Sequence, residues 1–132
     1  MRRILRTVSI SLLLVMTAGV SNSQSNSYAK FDKKGRTIGL YNLLATTTGC
    51  DSSRIFTGVI NRVTYELNDH TYAYTFVLNT GGKKLTINLV LSDDEVLQPD
   101  VEDIIRKGIR ARVQARQCGN VGVWTAEEIR RL

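Results

Sequence analysis

Arg110, Arg112 and Arg116 alternate with Ala111, Val113 and Ala115 near the end of this 132-residue chain. On an extended backbone, residues two apart point to the same side. The three guanidiniums therefore share a face that could follow the phosphates of a nucleic acid or the acid groups of a polysaccharide. Lys83-Lys84, beside Gly81-Gly82, could extend that patch from a neighbouring turn. The plainer reading is a solvated strand face paired with nearby acids, and charged turn tips are common for solubility alone.

The other reactive residue types are sparse. Cys50 and Cys118 are the only cysteines and His70 the only histidine. Two thiols and one imidazole make a poor metal set without carboxylates, and a nucleophilic cysteine would need histidine beside it. Asp93, Asp94, Glu95, Asp100, Glu102 and Asp103 form an acidic run that could hold Ca²⁺, yet it lacks the alternate-residue spacing and glycine of an EF-hand. Helix capping accounts for most of these acids. A nuclease-like hydrolase would need Asp93 and Asp94 facing the arginines across a cleft. His70 stands in a turn without a Ser or Cys partner in motif context. Trp124 reads first as a core residue.

Compartment changes the meaning of the charge and of the cysteines. Arg2, Arg3 and Arg6 precede an apolar run from Val8 to Val20, and small residues follow from Thr17 to Ser23. That layout is a secretory signal over residues 1–23, with Gly19 and Ala29 as other cleavage points; an uncleaved anchor is the alternative. The formal charge of +6 then falls, because three of the 18 basic residues lie in the signal. A chain from Gln24 keeps 15 against 12 acids, a net of +3. Charge alone no longer argues for nucleic acid. In an oxidising compartment Cys50 and Cys118 read as one disulfide.

The elements that must carry these residues follow from periodicity. Residues 24 to about 36 are small and polar, a linker or arm, and Ile38, Leu40, Leu43 and Leu44 are spaced for one or two turns of helix over Thr37–Leu44. Residues 24–49 are thus expected as an extension and 50–132 as the domain. Strand one covers about Ile55–Leu67, its alternation slipping once near Gly58, as in a bulged, coiled strand. Strand two is Tyr72–Leu78, with Tyr72, Tyr74, Phe76 and Leu78 on one face. Gly81-Gly82 turns it into strand three, where Leu85, Ile87, Leu89 and Leu91 share a face.

Ser92-Asp93-Asp94-Glu95 has capping-box spacing, and Pro99-Asp100 opens a short helix over Val101–Lys107 ended by Gly108. Arg106 and Lys107 would then suit the negative end of its dipole. Strand four is Ile109–Gln117 and strand five Val121–Ala126, joined by Gly119-Asn120, with Ile129 and Leu132 as apolar anchors. A small sheet removes its edges by curling closed. Five strands with a helix between the third and fourth make a mainly β, five-stranded Greek-key barrel of the OB type.

Four stretches carry a family resemblance: Thr57-Gly58-Val59-Ile60-Asn61-Arg62-Val63, Phe76-Val77-Leu78 with Gly81-Gly82, Gly108-Ile109-Arg110-Ala111-Arg112-Val113, and Trp124-Thr125-Ala126-Glu127-Glu128-Ile129. Together they resemble the strand series of OB domains, and most of all the anticodon-binding-like OB modules that include small exported bacterial proteins of unknown role. The resemblance covers Ile55–Leu132 and rests on apolar and glycine positions, so it speaks to fold before function.

OB domains that hold single strands stack bases on exposed aromatics. Here Tyr72, Tyr74 and Phe76 are in phase with Leu78 and point to the core, leaving Ala73, Thr75, Val77, Thr86 and Asn88 outside. The expectation is an exported, non-enzymatic binding module without cofactor or metal. Its partner would be a protein, an oligosaccharide or another polyanionic or envelope component. The alternatives are single-stranded nucleic-acid binding through the arginine stripe and a metal-dependent nuclease-like hydrolase.

Overall fold

In the computed structural model, which describes residues 27–44, 47–68, 71–92, 97–119 and 122–132, seven strands and one helix follow in order. They are β1 (Tyr28–Phe31), β2 (Thr37–Tyr41), β3 (Arg54–Asn68), β4 (Thr71–Thr80), β5 (Lys83–Ser92), α1 (Gln98–Ile104), β6 (Arg110–Arg116) and β7 (Val123–Arg131). The five strands expected from periodicity are β3 to β7. They pair β3–β4, β4–β5, β5–β7, β7–β6 and β6–β3, a closed cycle in which only β5–β7 is parallel. With α1 between β5 and β6, this is an OB-like barrel.

The alternating positions fill the inside. Tyr72, Tyr74, Phe76, Leu78, Ile87, Leu89, Leu91, Ala111, Val113 and Ala115 are all buried. Val101, Ile104 and Ile105 bring the helical segment into the same cluster. The Gly81-Gly82 turn has φ of +56° and +97°, a region where a side chain would be strained.

Closure depends on β3. Its first part, Arg54–Val59, pairs with β6, and its later part, from Val59, pairs with β4; Val59 is matched to Arg110 on one side and to Asn79 on the other. Gly58 sits where β4 crosses closely, and a Cβ there would collide with the Asn79 carbonyl. The bulge anticipated near Gly58 lies slightly later, between Asn61 and Thr64, with Arg62 at φ +47°. Bulge and glycine divide the work: one adds coil, the other permits close approach. Past the bulge β3 overhangs the barrel. Tyr65 and Leu67 keep the inward phase yet are 44% and 59% exposed.

Three local expectations are corrected. Thr37–Leu44 is not helical: Thr37–Tyr41 is strand β2, paired with β1 on one side and with Ile129 and Arg130 of β7 on the other. Pairing with a strand some 90 residues away overrides a four-residue apolar spacing. The helix ends earlier than Lys107, because Gly108 N–H and Ile109 C=O turn aside to bond Ile60, at 2.8 Å each. Arg106 and Lys107 therefore lie beyond the last turn, which has no basic residue. Leu132 is 60% exposed and anchors nothing, whereas Ile129 is fully buried within β7. Residues 1–23, expected as a secretory signal, His70, the 93–95 acids of the expected capping box and Asn120 of the turn lie outside the described residues.

Cys50 and Cys118 are disulfide-bonded, joining the approach to β3 to the exit from β6. Closing that loop restricts the unfolded chain, so Cys50→Ser with Cys118→Ser is expected to lower unfolding free energy by about 4 kcal/mol in denaturant titration. Gly58→Ala should cost about 1–3 kcal/mol in the same measurement, since backbone rather than a flexible side chain must yield.

Candidate functional site

Residues paired directly across a sheet share a face, so register places the cations. One row runs Lys84 on β5, Asn79 on β4, Val59 on β3 and Arg110 on β6. The next runs Thr57 on β3, Arg112 on β6, Arg130 on β7, Gly39 on β2 and Lys30 on β1. Both rows face outward, because their in-between neighbours Ala111, Val113 and Ile60 are buried. At a strand spacing of about 4.8 Å, Lys84 and Arg110 lie roughly 14 Å apart along the first row.

The stripe is not uniform. Arg116 Nε donates to both Glu127 carboxylate oxygens at 3.2 Å and Nη1 donates to the Asp51 carbonyl at 3.2 Å. That guanidinium is a structural tie. Arg130 Nε stands 3.2 Å from Glu128 Oε2, but out of line for a hydrogen bond, and is buried without another acceptor. Arg110 and Arg112 make no ion pair among the described residues. Lys30 lies over the Tyr41 ring, 4.7 Å from its centroid. Lys83 faces Thr80 at the exposed hairpin tip. Of the cations in these rows and at the hairpin tip, Lys83, Lys84, Arg110 and Arg112 have no carboxylate partner among the described residues, whereas Arg130 is paired with Glu128.

The outer face of β4 and β5 shows Ala73, Thr75, Val77, Thr86, Asn88 and Val90, without an aromatic ring. Tyr65 instead stacks near Tyr72 and Tyr74 on the inner side, with centroid distances of 6.2 and 4.8 Å. Tyr74 donates to Glu102 at 3.2 Å, and burial, more than the adjacent carboxylate, pushes its phenol up to about 12.

The acids of α1 do work that capping did not suggest. Asp103 Oδ2 accepts the Thr37 backbone N–H at 2.8 Å and lies 3.7 Å from Arg131, while Asp100 accepts from the Thr37 hydroxyl at 3.5 Å. Arg131 also donates to the Thr37 and Asp103 carbonyls, both at 3.0 Å. These contacts bolt α1, β2 and β7 together. Among the described residues no group of three or more His, Cys, Asp or Glu is arranged to hold a metal ion.

A cavity of about 340 Å³ opens at the barrel end beside the disulfide, lined by Asp51, Ser52, Arg54, Gln117 and Trp124. Trp124 packs edge-on against Phe56, 4.8 Å between centroids, and so joins the core as expected while its other side lines the cavity. Sequence reasoning missed Arg54. Its one local signal was a cation at the start of a strand, just after Cys50. A second cleft, about 330 Å³, lies by Tyr28, Tyr41, Glu127 and Glu128, but Arg116 and Arg130 already occupy those carboxylates.

Compared with known proteins, the chain matches no family model, no curated protein and no solved structure.

The Thr37 N–H, more than the Arg131 charge, holds the Asp103 carboxyl below its ordinary 3.8. A depressed folded value adds stability that is present above 3.8 and lost as pH falls through the lower folded value. Asp103→Asn should therefore reduce stability at neutral pH and flatten the acid-side decline, as read by thermal unfolding across pH 2 to 7 (a range of about five units spanning carboxylate titration).

Proposed function

We propose that this chain is an exported binding module that holds a polyanionic ligand on the outer face of its barrel and performs no chemistry on it. The carrying observation is the register: Lys84, Arg110 and Arg112 share one outward face across β5, β4, β3 and β6, while Glu127 is committed to Arg116. Carboxylate, sulfate and phosphate groups all suit guanidinium forks. An acidic polysaccharide of the envelope is favoured over a single-stranded nucleic acid, because the outer face of β4–β5 has no ring on which bases could stack.

Export is supported by the charged and apolar layout of residues 1–23, and the disulfide fits an oxidising compartment. The likeness to anticodon-binding-like OB modules supports a binding role on this barrel rather than a catalytic one.

The test is binding of the chain from Gln24 to a sulfated polysaccharide, a neutral polysaccharide and a single-stranded oligonucleotide across a salt series. The sulfated polymer should bind with a steep inverse salt dependence and the neutral one should not bind. Arg110→Gln with Arg112→Gln should lower the log–log salt slope by roughly 2, one for each lost contact. Arg116→Gln should leave that slope unchanged. Salt-independent binding, or a slope the double variant does not alter, would refute the reading; tighter binding to the oligonucleotide would favour the nucleic-acid alternative.

A further inference from the structure

The cavity at the disulfide end lies off the cationic rows and offers different chemistry. Its walls come from both half-cystine neighbours: Asp51 follows Cys50 and Gln117 precedes Cys118. Asp51 N–H donates to the Gln117 carbonyl at 2.9 Å, and the Asp51 carbonyl accepts from Arg116 at 3.2 Å. The wall is thus held by a covalent bond and two hydrogen bonds before any ligand arrives. Trp124 forms the floor, braced edge-on by Phe56. The Arg54 guanidinium stands over the indole at 6.0 Å from its centroid. Neither Arg54 nor Asp51 makes a side-chain ion pair among the described residues; Asp51 is open to a ligand, and Arg54, held over the indole only at the outer reach of a cation–π contact, has to swing to the rim for a ring to seat there.

We infer that this mouth is a binding pocket for a single neutral sugar residue, seated with its C–H face on Trp124. A sugar hydroxyl both donates and accepts, so a ring of them needs acceptors and donors around one flat apolar surface. Asp51 supplies acceptors, Arg54 donors, and Ser52 and Gln117 supply both. A cavity of about 340 Å³ is at the small end of ligand pockets, a size for one ring and not an extended chain. The Asp51 charge opposes phosphate or carboxylate here, and this sets the pocket apart from the polyanion face. The inference does not rest on the proposed function.

Trp124 is the only tryptophan in the chain, so its emission reports this pocket alone. The oxidised chain from Gln24 is titrated with methyl glycosides of glucose, galactose, mannose and N-acetylglucosamine, and with adenosine and cytidine, while emission is followed. At least one glycoside should give a saturable shift at millimolar concentration, and the nucleosides none. Asp51→Asn and Arg54→Gln should each weaken that binding by roughly fivefold or more, the loss of one charged hydrogen bond. Both residues are exposed, so circular dichroism should stay unchanged, and Arg110→Gln should leave the titration as it was. No saturable shift with any of the four glycosides overturns the inference. So does a saturable shift with nucleosides, or unchanged affinity in both pocket variants.

Discussion

One strand has to serve as wall to two neighbours that diverge. β3 leaves β6 and joins β4 at Val59, which is matched on both sides. No flat strand can do this, because its hydrogen-bonding edges would lie in one plane. The chain meets the demand by a missing Cβ at Gly58, where the Asn79 carbonyl comes close, and by an extra residue between Asn61 and Thr64. Arg62 accepts a left-handed backbone at the bulge, a conformation of order 1–2 kcal/mol for a residue with a side chain. Closure of the cycle returns that cost: β4 and β6 both gain a full partner, and Ile60 becomes completely buried.

The second constraint is the seam beside β7. β5 reaches only Val123–Thr125 there, and its parallel pairing stops at Asn88. Ile129 and Arg130 of the same edge would be open to water, next to a buried core. β2 fills that edge, and Thr37 is held by Asp103 of α1 and Arg131 of β7 at the junction. The segment before the barrel is therefore wall rather than ornament: Leu40 is fully buried and Leu43 nearly so. The acids at Asp100 and Asp103 belong to this joint, and a ligand role for them would compete with it.

What could be read from the chain beforehand follows from this division. In β4, β5 and β6 the apolar side chains beat every second residue because each strand has one wet and one dry face, so strands, faces and the outward arginines were all legible. β2 was not, since five residues carry too little period and its partner lies at the far end of the chain. The helix end was misplaced for a similar reason: Gly108 and Ile109 are drawn away by Ile60, some 48 residues earlier. Arg116 was seen as a cation, but its neutralisation by Glu127 depends on the β6–β7 register. Arg54 and Trp124 are 70 positions apart, and nothing local in either announces that they meet.

The inner and outer surfaces of a barrel this narrow cannot exchange roles. Phe76, Leu78, Ile87 and Ile129 are fully buried inside, and a slip of one residue in β5 or β6 would turn Lys84, or Arg110 and Arg112, toward the core. A ligand would meet the outer rows or an end of the barrel. α1 brings Val101 and Ile104 into the core, and among the described residues a cavity opens beside the disulfide, at Asp51 and Gln117. At that end the covalent bond does for Asp51 and Gln117 what pairing does for the strands: it fixes positions that a short loop would otherwise leave free. At the proposed mouth selectivity would come from geometry set during folding, whereas the proposed cationic face would discriminate by charge and spacing.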